Sequence, residues 1–516
     1  MPTSITQPSA NSSFSGLTTV IGPAAPHLTL FTICLLLLLY GYEIFNFSLS
    51  IDEESFSHEN AFRASITQGR WAIGLLTRMF PPLGNIPMIS TVLFCAGLGV
   101  TACVLGRVLF RSHSAQLAFV GIFVSSPLWP HIAEFNQVSW GVGIGCVLLT
   151  LSLLLTLANN RFSDICAVGL LSAATGIYQT FFLWFLVLLC IRHLSVLLGT
   201  AAVDETMAGH RSPWLRSGLI GAGGLLVYLA VERLLLQVFS LKLTYVQGFI
   251  RFDEFTSVPA QALLRTLLHC WSFLSGADRI YLGYGYVVTL VSLLGLLIVV
   301  IRLLRRRPLT ISQRLLGGAI LVAVLAIGMG PILVSAATVP ARSVFSWVPV
   351  SAFMAGITLS NSGRFKKLMY VALAAALFVS MWISVSLFYT DHIARQRDEL
   401  LAARIMVRVD NILPNPRSGP IPFVIIGAPP AGDAGPFRKV EIFGDSFFDK
   451  AHEGGNPFRV AAYLRILGVD TLEPHSLKEV VPLRPVIEAM PVWPAAGSLT
   501  MVNGMLVIKL GPLPPA

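Results

Sequence analysis

Charge is scarce in this chain. Only 12% of its 516 residues are Asp, Glu, Lys or Arg, where soluble domains carry about 25%. That shortage excludes an ordinary soluble protein. The uncharged runs it leaves approach or exceed about 18 residues, enough to cross roughly 30 Å of hydrocarbon. Cysteine is sparse as well, with seven residues, no C-x-x-C pair and none after Cys270. This excludes a disulfide framework and a zinc signature and leaves the thiols as buried, inert groups. Lys and Arg are missing before Arg63, so the basic n-region of a cleavable signal is lacking and the first apolar segment is expected to persist. A G-x-x-x-x-G-K-[ST] loop is missing too, which removes support for ATP-driven transport. No basic stripe with interleaved aromatics points to nucleic acid.

What is present is apolar and helical in pattern. Hydrophobic residues make up 54% of the chain and the mean hydropathy is +0.73. The apolar runs lack period-two alternation, so an all-α polytopic membrane bundle is expected, not a barrel. Eleven spans are predicted, near 28–47, 86–106, 115–126, 138–158, two short helices within 165–198, 217–240, 286–301, 315–335, 344–359 and 368–389. Gly176-Ile177-Tyr178-Gln179 reads as the tight turn that divides the 165–198 block. No transmembrane-scale internal repeat is apparent, which gives an inverted-repeat transporter little support.

The net charge of +10 resides wholly in the membrane part, because residues 390–516 carry 13 basic and 13 acidic side chains. Loops joining even to odd spans hold Arg107, Arg111, Arg161, Arg192, Arg211, Arg216, Arg302, Arg305, Arg306, Arg307, Arg314, Arg364, Lys366 and Lys367, and the positive-inside rule makes them cytoplasmic. The N-terminus, with a disordered 1–27 segment, is then cytoplasmic. The 48–85 loop, the 241–284 loop and the tail then face outward. In the tail, 391–409 patterns as a charged helix, 423–427 and 439–444 as strands, and 458–467 as a helix. Asn503-Gly504 between apolar runs marks a hairpin. A small α/β extracytoplasmic domain over 390–516 follows, after a transmembrane domain over 28–389.

The densest chemistry lies directly after the first span, where Asp52, Glu53 and Glu54 stand in a row. One reading is a solvated cap. The other is function: a carboxylate at a membrane interface can act as general base toward a sugar hydroxyl or hold a divalent cation such as Mg²⁺ or Mn²⁺. Arg70, in Gln68-Gly69-Arg70-Trp71, and Arg342, in a short loop after Pro340, suit bidentate binding of phosphate, with interfacial snorkelling as the alternative. Tyr178 and Gln179 could hydrogen-bond a sugar or simply form a polar turn. His58, His131, Glu134, Asp253 and Glu254 read as solvated loop residues.

An acidic stretch after span one, Gln68-Gly69-Arg70-Trp71 leading to span two, and Gly176-Ile177-Tyr178-Gln179-Thr180 at the fifth-to-sixth junction resemble the type II O-antigen glucosyltransferases. These are serotype-converting membrane proteins of phages and bacteria. The resemblance covers roughly residues 28–390 and implies a GT-C-like, polyprenyl-phosphate-sugar-dependent glycosyltransferase. It puts carboxylates of the first outward loop, here Asp52 and Glu53 with Glu54 as a third, in the active site, and Arg70, Tyr178, Gln179 and Arg342 in substrate binding. The implied partners are undecaprenyl-phosphate-hexose, a cell-surface polysaccharide or lipid-linked glycan acceptor and membrane lipids, with no nucleic acid. The alternative is a transporter or flippase of lipid-linked sugar or polysaccharide. The few mid-span charges, Glu43 and Glu232, weigh against it. A membrane acyltransferase is a third reading and lacks a suitable His.

Overall fold

Long uncharged runs must satisfy their own backbone polar groups, and the helix does so within one segment. A computed structural model describes residues 26–55, 58–80, 86–158, 160–202, 213–244, 251–305, 309–335, 339–360, 363–413, 419–429, 439–449 and 456–513. The 1–25 part of the N-terminal segment, Arg211, Arg306 and Arg307 lie outside these ranges. The chain divides into two compact units. One holds the residues up to Phe45 together with His58–Val385, the other Asn46–Ser57 together with everything from Ser386.

The first unit is helical. Its elements are α1 (Pro26–Phe45), α2 (His58–Thr67), α3 (Trp71–Met79), α4 (Pro87–Leu109), α5 (His113–Val124), α6 (Pro130–Ala133), α7 (Asn136–Leu157), α8 (Arg161–Ile177), α9 (Thr180–Leu197) and α10 (Pro213–Val238). There follow α11 (Phe252–Ser257), α12 (Pro259–Ser275), α13 (Gly285–Arg305), α14 (Ile311–Gly328), α15 (Gly330–Ser335), α16 (Val348–Ser360) and the start of α17 (Lys366–Ile412). Among the described residues, eight helices are long and apolar enough to cross a membrane. The other three expected crossings correspond to shorter helices, α5, α8 and α16. The predicted division of 165–198 is present, as α8 ends at Ile177 and α9 begins at Thr180.

Apolar side chains give no net drive between helices in lipid, so close backbone approach has to hold them together. The α4–α7 crossing illustrates this: a Cβ on Gly97 would lie 2.1 Å from the Gly143 carbonyl oxygen. Interior aromatics fill the rest, with Trp129, Trp140 and Trp184 fully buried. The 241–284 segment is more ordered than a loop, because α12 starts at Pro259 and stops at left-handed Gly276.

The helix α17 runs unbroken for 47 residues, where the sequence suggested a span and then a separate charged helix. No Gly or Pro interrupts Lys366–Ile412, so nothing stops the helix where its surface turns from apolar to charged. Its first part belongs to the first unit and the part from Ser386 to the second.

The second unit adds β1 (Ile421–Ile426), α18 (Pro457–Ile466), β2 (Leu472–Pro474), α19 (Arg484–Ala489), β3 (Leu499–Val502) and β4 (Met505–Lys509). The sheet order is β2-β1-β4-β3, with β1 parallel to both neighbours and β3 antiparallel to β4. The side chains of β1 alternate between two cores. Phe423 and Ile425 pack with Ala402, Ile405 and Val460, whereas Val424 and Ile426 pack with Ile487 and Met490. Residues 439–444, expected as a strand, form instead a tight turn closed by a bridge between Val440 and Phe443. Positive φ at Glu441 and Gly444 is the reason, since it turns the chain back where a strand would continue.

Candidate functional site

In the first unit the site starts where α2 ends. Gly69, with φ +70°, closes the helix in a Schellman arrangement. The Arg70 N–H donates to Ser65 O at 2.8 Å and the Gly69 N–H to Ile66 O at 2.9 Å. That turn leaves the Gln68 and Gly69 carbonyls free to accept from side chains elsewhere. Gln179 Nε2 donates to Gln68 O at 2.6 Å. Tyr228 Oη lies 3.0 Å from Gly69 O and 2.9 Å from Glu232 Oε1, so its one proton serves one acceptor at a time. Space here is tight: a Cβ on Gly69 would sit 2.5 Å from Glu232 Oε1 and 2.7 Å from Gln179 Nε2.

One residue on, the Arg70 guanidinium carbon stands 4.3 Å from the centre of the Tyr178 ring. Tyr178 is buried and meets Phe345 edge-on at 5.3 Å. Phe345 belongs to a 3-10 turn, Phe345–Trp347, directly after the turn Ala341–Ser343 that carries Arg342. Two bonds tie these turns to α9: Trp184 Nε1 donates to Phe345 O at 2.7 Å and Thr180 Oγ1 to Ser343 O at 3.2 Å. Arg342 itself lies over the Phe135 ring at 4.9 Å. Three of the four stretches singled out in the sequence, around Arg70, Tyr178-Gln179 and Arg342, therefore meet across one aromatic layer in this unit.

The same layer changes the reading of His131 and Glu134. Both are buried, 1% and 3% exposed, not solvated. The short helix α6 packs against the Ala341–Ser343 turn, and Trp129 and Ile132 draw the segment inward. Glu254 is paired with Arg251 at 2.7 Å and Arg265 at 3.3 Å, a structural role at the start of α11. The His58 side chain lies outside the described residues. The sequence reading treats Glu232 only as one of two mid-span charges and does not single out Tyr228, although a Glu in an apolar span with a Tyr one turn earlier is a signal of a polar site.

The three consecutive acids lie in the second unit, and their surroundings differ sharply. Ile51 is buried in the unit's core beside Val460 and Ala461, with Leu49 packed alongside. The chain then turns at Asp52, which has φ +83°, into a 3-10 turn, Glu53–Ser55. The Glu53 carboxylate accepts from the Ser50 N–H at 3.1 Å, closing the turn on itself. Glu54 is fully buried at its side chain and lies 2.6 Å from Arg459 Nη1. Asp52 is 56% exposed at its side chain, and one of its oxygens accepts from Arg459 Nη2 at 2.8 Å. Arg459, on α18, thus bridges two of the three acids. No feature of the local sequence around it indicates this.

A divalent ion shared by Asp52 and Glu54 would need the place the Arg459 guanidinium holds. Among the described residues, no three His, Cys, Asp or Glu side chains gather as a ligand set. No curated protein and no solved structure matches the chain. A family model described as glucosyl transferase GtrII matches residues 41–360, a segment that contains the acidic turn, the Arg70–Tyr178 contact and the Arg342 turn. On that match, which spans more than half of its length, the chain belongs to the glucosyl transferase GtrII family.

Proposed function

We propose that this glycosyltransferase moves a hexose, glucose by the family's description, from a polyprenyl-phosphate carrier to a hydroxyl of a cell-surface glycan such as O-antigen, at the outer face of a bacterial plasma membrane. The observation that carries the assignment of the base is the contrast among the three acids. Glu53 is committed to its own turn and Glu54 is buried, while Asp52 presents its carboxylate to solvent on a left-handed backbone. A base must reach the proton it removes, and only Asp52 of the three has that freedom.

In the proposed step, Asp52 takes the proton of the acceptor hydroxyl as its oxygen forms a bond to the anomeric carbon. The bond from that carbon to the phosphate oxygen breaks, polyprenyl phosphate departs with the electron pair, and the configuration inverts. The transition state has oxocarbenium character, as in glycoside hydrolysis. To Arg70 and Arg342 the proposal gives the phosphate oxygens, where negative charge grows as the carrier leaves. To Gln179 and Tyr178 it gives hydroxyls of the sugar.

Purified protein incubated with polyprenyl-phosphate-glucose and acceptor glycan tests this directly. A new glycosidic bond is expected, which a carrier of lipid-linked sugar would not form. Asp52→Asn should abolish it while leaving the protein folded. Near-normal transfer by that variant would remove Asp52 from the role of base.

A further inference from the structure

We propose that Arg459 is a positioning residue for Asp52, so that the segment of the chain beyond the family-matched residues completes the catalytic turn. This rests on the assignment of Asp52 as base.

The geometry is that of a clamp. One guanidinium reaches two carboxylates through two different nitrogens, Nη2 to Asp52 Oδ1 at 2.8 Å and Nη1 to Glu54 Oε1 at 2.6 Å. Its side chain is only 12% exposed, so the pairing takes place largely out of water, where charge attraction is stronger. A planar fork spaces its donors rigidly, which a single ammonium cannot do. Glu54, fully buried, holds the guanidinium in place, and the guanidinium in turn fixes the half-exposed Asp52.

Both ends of the clamp are themselves anchored. Asn456 Oδ1 accepts from the Arg459 N–H at 3.0 Å, capping α18, and Pro457 begins the helix. Val460, Ala461 and Leu464 of the same helix join Ile51 in one core, so turn and helix are packed against each other. The positive φ of Asp52 is a strained state for a side chain with a Cβ. Such states persist where their surroundings over-determine them. The ion pair with Arg459 supplies that determination, and it leaves the other Asp52 oxygen for the acceptor's proton.

The test uses the full chain and compares Arg459→Ala, Arg459→Lys and Asp52→Asn, each assayed as a monodisperse protein with polyprenyl-phosphate-glucose. Misplacing a catalytic group by about an ångström can cost about 100-fold. A fall in kcat of about that size is therefore expected for Arg459→Ala, with the KM for donor nearly unchanged. Arg459→Lys keeps the charge but not the fork and should fall between. Added methylguanidine should restore part of the kcat of Arg459→Ala, and none in the double variant with Asp52→Asn. A purely structural role would give no such rescue. Wild-type kcat in Arg459→Lys or Arg459→Ala, or a low kcat that methylguanidine leaves unchanged, overturns the clamp. If Arg459→Ala does not fold, the Lys variant alone decides by its kcat. An active Asp52→Asn would instead overturn the base assignment, so the two failures are distinguishable.

Discussion

Arg70 stacks its guanidinium on the face of Tyr178, 4.3 Å from the ring centre, although six helices separate the two residues in the chain. The ring is buried, so the contact is desolvated and worth about 2 kcal/mol. Tyr178→Phe keeps the ring face and should leave stability close to wild type, while loss of the hydroxyl that the proposal gives to the sugar should raise the donor KM a few-fold, about the worth of one hydrogen bond. Tyr178→Leu removes it. With Arg70 unsupported, we expect the donor KM to rise about tenfold, the equivalent of roughly 1.4 kcal/mol. Initial rates against donor concentration check both variants.

Gly69→Ala is expected to be far more damaging than its size suggests. The left-handed backbone alone costs an alanine about 1 kcal/mol. The added methyl must also displace Glu232, Gln179 or Tyr228, each within 2.9 Å of its position. Overpacking of this kind adds about 1–3 kcal/mol. Thermal unfolding in detergent should show a clear loss, whereas Glu232→Gln, which keeps the shape, should show a small one.

Among the three acids, stability and activity should separate. Asp52 is half-exposed, so losing its ion pair in Asp52→Asn should change stability by about 0–1 kcal/mol while transfer is lost. Glu54 is buried against Arg459, and Glu54→Ala leaves a charge in the interior without one of its partners, at about 3–5 kcal/mol. Limited proteolysis of the tail together with transfer assays will show whether the two variants fail in these opposite ways.

A second buried network should make the C-terminal unit sensitive at Asp398. Its carboxylate accepts from the Phe447 N–H at 2.9 Å and the Ser446 hydroxyl, and it pairs with Arg395 at 3.0 Å. Arg395 also lies 4.2 Å over the Phe447 ring. Asp398→Ala strips the backbone donor and the guanidinium together, so a loss of about 3–5 kcal/mol is expected. Faster proteolysis within 439–449 would report it.

Local chemistry made several elements legible in advance. Asn503-Gly504 announces its hairpin because both residues take positive φ, 49° and 82°, as the turn between β3 and β4 requires. The break at Tyr178-Gln179 and the meeting of the Arg70 and Arg342 stretches were also legible. Residues whose environment is made by distant segments were not. His131 and Glu134 look like surface polar groups until a turn 200 residues later covers them. Val440 and Phe443 are both buried, and their apolar character mimics a strand although a turn produces it. Arg459 is one arginine among many, and its role depends on a partner from the other end of the chain.

The packing of Ile51 and Leu49 among residues of α18, β1 and β4 has a consequence for biosynthesis. The acidic turn leaves the ribosome early, yet the core that seats it is complete only when β4 has been made, on the order of half a minute or more later at about 5–20 residues per second. During that interval the turn has no Arg459 and no core to hold it. The enzyme therefore cannot acquire its arranged acids while it is still growing. Premature stops anywhere before the last strand would give a chain whose acidic turn was never seated in its core.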